Sequence, residues 1–363
     1  MEYHQRQLLV MYNELLDKLK KDHFLSYEEY LVLIKNRDLV RDYAAKLARE
    51  VCESVYQNKI FIRGLIEFSN YCKNDCLYCG IRKSNLNACR YRLKKEEIVA
   101  CADIGYELGF RTFVLQSGED LSYTDSMLVD IIKEIKKHHP DTAITLSIGE
   151  RSKESYKLLF DAGADRYLLR HETVDVNHYQ LLHPKIMSYQ NRMQCIKDLK
   201  EIGYQVGVGF MVGSLGQTDE MLAKELVFLH ELNPEMVGIG PFIPHKDTPF
   251  KNEAAGTSEL TTFLLSLIRL TLPFVLLPAT TALGTIDPMG REKGILAGAN
   301  VLMPNLSPKD VRKKYLLYDN KICTGDEAAR CINCLKKRIG KIGREIIISR
   351  GDYALYKGLN ERN

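Results

Sequence analysis

Between residues 59 and 305, short apolar runs rich in strand formers alternate with amphipathic stretches of helical period. The strand candidates are Ile60–Phe68, Thr112–Gln116, Ala143–Ser147, Arg166–Leu169, Gln205–Met211, Met236–Gly240, Phe274–Ala279 and Asn300–Met303. Helix candidates lie between them, among them Lys95–Leu108, Ser126–Lys137, Ser152–Ala162, Tyr189–Ile202, Asp219–Glu231 and Ser258–Leu270, and Gly109, Gly163 and Gly203 mark helix ends. Eight β/α units over about 245 residues match an α/β (β/α)8 TIM-type barrel. A doubly wound open sheet has the same rhythm, because strand closure leaves no mark on sequence.

The residues before the first strand are helical. Ser26-Tyr27-Glu28-Glu29 has the form of a capping box, and Leu31, Ile34, Leu39, Tyr43, Leu47 and Val51 follow at helical intervals. The expected organisation is an N-terminal helical segment (1–58), the barrel (59–305) and a C-terminal extension (306–363). A net charge of +4 is too small to argue for nucleic acid or a membrane surface as partner. The N-terminus carries acids, unlike a signal peptide, and the most apolar run, Phe263 to Ala279, is interrupted by Arg269 and Pro273. Ten cysteines without an export signal point to a cytoplasmic, reducing setting in which thiols ligate metal.

Cys72, Cys76 and Cys79 are spaced C-x3-C-x2-C on the loop leaving the first strand. Three thiolates suit three irons of a [4Fe–4S] cluster and leave the fourth open to a small molecule. A zinc site would need a fourth ligand at short range, and the nearest cysteine, Cys89, lies ten residues on. The spacing matches the signature of radical S-adenosylmethionine (SAM) enzymes. A second triad, Cys323, Cys331 and Cys334, is spaced C-x7-C-x2-C. It reads as ligands of a second [2Fe–2S] or [4Fe–4S] cluster, or as unpaired or zinc-binding thiols.

Active sites of such barrels gather at the C-terminal strand ends. There Ser117-Gly118-Glu119 suits the SAM ammonium, Arg170 a fork to its carboxylate, and Tyr78 packing near its adenine. Taken singly, Glu119 and Glu172 would be surface acids and Arg170 an ion-pair partner of one of them. His171 reads as structural. The glycines at 207, 209, 213 and 216 lack the dinucleotide-binding spacing and read as barrel turns and close packing.

Glu67-Phe68-Ser69-Asn70, Leu115-Gln116-Ser117-Gly118-Glu119-Asp120 and Arg166-Tyr167-Leu168-Leu169-Arg170-His171-Glu172-Thr173 resemble the HydE family, radical SAM maturases of [FeFe]-hydrogenase. So do the string from Met236 to His245 and Pro278-Ala279-Thr280-Thr281-Ala282. The resemblance spans nearly the whole chain. It implies site residues Gln116, Ser117, Glu119, Thr145, Arg170, Glu172, Thr280, Thr281, Met303 and Tyr315. It also implies a thiol-bearing organometallic substrate, an iron–cysteinate complex with CO and cyanide, and as partners a sister radical SAM synthase and a GTPase scaffold. Biotin synthase and methylornithine synthase share the barrel, so sulfur insertion or an amino-acid mutase reaction is the alternative.

Overall fold

The computed structural model describes residues 2–324 and 332–356. Gly64–Ser69, Thr112–Ser117, Ala143–Ser147, Arg166–Leu168, Gln205–Val208 and Met236–Val237 form a six-stranded parallel sheet in chain order. The seventh segment joins through single parallel bridges, Met236 to Leu276 and Pro278 to Val301. The eighth strand, Val301–Leu302, pairs in parallel with Lys59–Ile62, and a bridge from Leu65 to Asn305 completes the return to the first strand. Parallel pairing thus passes through eight segments and comes back to its start, a TIM-like α/β arrangement rather than an open sheet with two free edges.

Alternate strand residues face opposite sides. Ile60, Ile62, Ile66, Phe68, Phe113, Leu115, Ile144, Leu146, Tyr167, Val206 and Val237 pack into one core with the buried helix faces. Fully burying each such side chain contributes about 1.5–3 kcal/mol. The other parity carries Arg63, Glu67, Gln116, Thr145, Arg166, Arg170 and Gln205. These polar residues bond across the interior: Arg166 Nη1 donates to Thr112 Oγ1 at 3.0 Å, and Asn305 Nδ2 to Glu67 Oε2 at 2.8 Å.

Local chemistry sets the helix ends. Thr124, Ser152, Ser188, Thr218 and Thr257 each cap the helix that follows by accepting a backbone N–H. Gly203, at φ 103°, ends Tyr189–Ile202 in the left-handed region that glycine adopts without strain. The capping box at Ser26 and Glu29 forms in both directions, at 3.3 and 2.8 Å. Before the barrel lie helices Glu2–Asp22, Tyr27–Lys35 and Arg37–Tyr56; the third packs on Ser258–Thr271.

The expected strand Gln205–Met211 is interrupted after Val208 and resumes as Met211–Val212, which pairs with Gly240–Pro241. Gly209 lies against the backbone of the next strand, where a Cβ would stand 2.0 Å from the Gly238 carbonyl oxygen. Close packing is therefore what this glycine serves.

The C-terminal extension crosses both ends of the barrel. Residues 314–322 run over the top, where Gly80 N–H donates to Leu317 O at 2.8 Å and Gln116 Nε2 to the Tyr315 hydroxyl at 3.3 Å. Further on, Glu345–Ile347 pairs with Lys59–Phe61, and Asp352 takes a 2.6 Å bond from the fully buried Arg166 at the floor. Among the described residues no helix is long and apolar enough to cross a membrane.

Candidate active site

Cys72, Cys76 and Cys79 lie on the long loop that follows the first strand, and its lack of regular pairing is compensated by specific bonds. Arg90 donates to the carbonyls of Ile81 and Arg82 at 2.9 and 2.6 Å, and Asp75 accepts from Arg82 Nε and Ser84 N–H. Lys73 N–H donates to Glu119 O on one side and Leu77 N–H to Leu182 O on the other. Asn70 secures the start of the loop through Cys89 O and Lys314 O. Gly118 lets the second strand end approach the cysteine loop, since a Cβ there would be 2.2 Å from Tyr71 O and 2.8 Å from Cys72 Cβ.

The three thiols share one electrostatic environment. Burial raises all three, and the neighbouring thiols raise Cys76 and Cys79 further; Cys79 is pushed up to about 12. Three such thiols become thiolates together only when positive charge lies among them. Among the described residues, the one group of ligand atoms lying wholly within 4.8 Å of one another is elsewhere, so these three sulfurs do not close on a single ion. A multi-iron cluster needs that wider spacing, and the donor set fits it.

Beside the triad, charged groups converge from three strand ends and a helix. Glu119, buried, has Oε2 3.1 Å from Lys73 Nζ and Oε1 3.7 Å from Arg192 Nη2. Arg192, on Tyr189–Ile202, is 2.6 Å from Glu150 Oε1 through its Nε. Burial alone would lower its pKa, yet Glu150, Tyr179 and Glu119 hold the guanidinium above its ordinary value. Arg170 Nη2 lies 3.3 Å from Glu172 Oε2 without hydrogen-bond geometry, and among the described residues Arg170 Nε and Thr145 Oγ1 have no hydrogen-bond partner. Such orphaned buried polar atoms cost about 1–3 kcal/mol each unless a ligand satisfies them. Glu172 is also left-handed, at φ 66°, a conformation that costs a non-glycine residue free energy and gathers at binding sites.

The remaining residues singled out from sequence are distributed more widely. Ser117 Oγ donates to Gly118 O, and Thr280 caps the short helix Thr281–Ile286. Met303 packs with Phe61, Met236, Leu276 and Val301 deeper in the interior. The Tyr78 hydroxyl lies 3.2 Å from His183 Nε2. His183 Nδ1 donates to Tyr179 O at 2.9 Å, which leaves Nε2 as the acceptor for Tyr78. His171 is turned outward: its Nε2 is 2.7 Å from Glu225 Oε2, on a barrel helix. Cys323 stands apart from the first triad, 3.0 Å from Arg291 Nη2; Cys334 is on Ile332–Gly340, and Cys331 lies outside the described residues.

Sequence reasoning missed Arg192 and His183. Neither belongs to a strand end, and nothing in a helix sequence distinguishes an inward arginine from a solvated one. Glu150 lies three residues past the end of the third strand, Ala143–Ser147, and that position was the available signal.

Residues 66–229 match the family model described as the radical SAM superfamily. The chain is 46% identical to the [FeFe] hydrogenase maturase subunit HydE of Thermotoga maritima, over 92% of this chain and 94% of that protein. It is 30% identical to a 3-methylornithine synthase of Methanosarcina acetivorans, over 82% and 83% of the two chains. The solved structure of HydG, a maturase of the [FeFe]-hydrogenase, superposes with a TM-score of 0.79 at 23% identity, covering 96% of this chain and 80% of that one. That last likeness shows the fold.

Proposed function

The chain belongs to the HydE family of radical SAM [FeFe] hydrogenase maturases, and from that membership we propose how its residues divide the work. The family carries a [4Fe–4S] cluster and SAM as cofactors. In this reading Cys72, Cys76 and Cys79 hold the cluster and leave one iron for the methionine end of SAM. Bound there, the cluster supplies the electron that cleaves SAM to methionine and a 5′-deoxyadenosyl radical. Glu119 accepts the SAM ammonium, with Ser117 beside it. Arg170 makes a charge-assisted bond to the carboxylate, kept in place by Glu172. Tyr78, positioned by His183, covers the adenine. Arg192, 3.7 Å from Glu119 and 2.6 Å from Glu150, fixes the positions of the carboxylates that face the ammonium.

Below SAM, the inner face bearing Gln116, Thr145, Thr280, Thr281, Met303 and Tyr315 takes the second substrate. We assign it as a thiol-bearing organometallic molecule, an iron–cysteinate complex with CO and cyanide, received from a sister radical SAM synthase and passed on to a GTPase scaffold in the cytoplasm. The supporting observation is the 46% identity to a named HydE subunit over nearly both whole chains. The barrel's part is to hold the target atom near the radical and to exclude water and stray hydrogen donors.

The likeness to 3-methylornithine synthases favours an amino-acid mutase as the one competing reading. Anaerobic maturation of an apo-hydrogenase by purified sister maturases, with and without this protein, separates the two. Hydrogen evolution that requires both this protein and SAM is expected. Conversion of L-lysine to 3-methylornithine without any effect on maturation would overturn the assignment.

A further inference from the structure

Away from the barrel mouth, three ligand-type side chains meet where Lys95–Glu107 packs on Asp125–His138. Asp103 lies on the first helix; His138 ends the second, and His139 is its C-cap. Asp103 Oδ1 is 3.0 Å from His138 Nδ1 and 2.7 Å from His139 Nε2. The three donor atoms all lie within 4.8 Å of one another, the one such group among the described residues. We propose that Asp103 Oδ1, His138 Nδ1 and His139 Nε2 form a surface site for a divalent first-row transition ion, zinc or nickel, distinct from both cysteine triads.

The donor set supports this choice. Two imidazoles and a carboxylate suit zinc and nickel, whereas magnesium and calcium sites are built from oxygen. Three protein ligands leave a position for water. The surrounding groups also have the form of an outer coordination shell. Glu134 Oε1 lies 3.2 Å from His138 Nε2, a carboxylate on the nitrogen opposite the proposed ligand atom, which fixes the ring and its tautomer. The His139 ring is stacked on Tyr106 at 4.1 Å and 14°, and Arg111 covers Tyr106 at 3.7 Å. His139 is therefore held with Nε2 toward Asp103. Lys95 and Lys137 approach Glu134, at 4.0 and 3.5 Å, but pair with that outer carboxylate and not with Asp103. Two imidazole nitrogens are directed at the same carboxylate oxygen, so all three donor atoms already face one point. Because the ligands come from two neighbouring helices, metal would clip these helices together and stabilise the fold in proportion to its free concentration.

The test uses the anaerobic, cluster-loaded protein, freed of adventitious metal on a chelating resin and dialysed to equilibrium against Zn²⁺, with Ni²⁺ in parallel. Wild type is compared with Asp103→Asn and with the double variant His138→Gln/His139→Gln, so zinc held by tail thiols is common to all three. Wild type should retain one more zinc than the double variant, and added zinc should raise its unfolding temperature but not that of the variant. Asp103→Asn should bind this zinc at least about tenfold more weakly. SAM cleavage should be the same in all three and serves as the check on folding. Equal zinc content and equal thermal shifts in wild type and double variant would overturn the site. So would an Asp103→Asn protein that binds as wild type does, which would reduce the pair to ordinary histidines.

Discussion

Arg170 and Glu172 stand at the end of the fourth strand with polar atoms that have no hydrogen-bond partner among the described residues. If Arg170 binds the SAM carboxylate, Arg170→Ala should weaken SAM binding about 10- to 100-fold, the loss of a charge-assisted bond worth about 1.5–3 kcal/mol. Equilibrium dialysis of SAM against the oxidised, cluster-loaded protein, which binds SAM without cleaving it, would measure this, and unchanged affinity would remove Arg170 from the pocket. Gly118 gives a second check. An alanine Cβ would press 2.2 Å from Tyr71 O, which is backbone and cannot move aside. Gly118→Ala should therefore displace the cysteine loop and lower iron retention, read as iron per chain after reconstitution. At this scale the sequence was informative where chemistry and position coincide: a C-x3-C-x2-C run, or an Arg at a strand end. It was silent on Arg192, whose inward direction depends on how one helix sits over the barrel.

The cysteine loop takes its shape from neighbouring elements, and one of its supports is sensitive to pH. Burial lowers the pKa of His183 from 6.5 to about 4. The unfolded chain binds a proton near pH 6.5 that the folded protein refuses until about pH 4. Stability from this residue is thus fully present above pH 6.5 and is lost as the solution is acidified through that window. Between pH 6.5 and 5 the loss should be about 1.5 kcal/mol, since the slope reaches 1.36 kcal/mol per pH unit only once the unfolded imidazole is fully protonated. Urea unfolding of wild type and His183→Asn across this range would test it. The variant should show a shallower dependence, and parallel curves would exclude His183 as the cause. Strand existence was legible from sequence, but strand continuity was not. The seventh segment, Phe274–Ala279, has the composition of a strand yet keeps only the bridges at Leu276 and Pro278. The break after Val208 follows from a glycine-to-backbone contact with a strand some thirty residues on, which no local pattern encodes.

On the scale of the molecule, the C-terminal extension ties both ends of the barrel. At the top Lys321 is ion-paired with the buried Glu67, and at the floor Asp352 with Arg166. Arg166 is fully buried whereas Asp352 is 24% exposed, so Asp352→Ala strands a buried charge that water partly reaches and should destabilise the protein by up to about 3 kcal/mol, read as a shift in the denaturant midpoint. The eight-unit rhythm made the barrel readable from sequence. The floor contact was not readable, because Glu345–Ile347 is too short to stand out and its partner, Lys59–Phe61, lies almost 290 residues earlier. The tail cysteines belong to this extension in sequence. Replacing Cys323, Cys331 and Cys334 together by alanine should lower iron content and leave SAM cleavage intact; loss of cleavage with the first cluster intact would make the tail part of the electron path.

The most direct measurement is 5′-deoxyadenosine formed per chain after anaerobic reconstitution and dithionite reduction in the presence of SAM, for wild type and for Cys72→Ala, Cys76→Ala and Cys79→Ala separately. Wild type should produce it, and each variant should fall to background, because two thiolates cannot hold a cluster with one open iron. Cleavage near the wild-type level in any one of the three variants would contradict the assignment of this loop as the site of SAM chemistry.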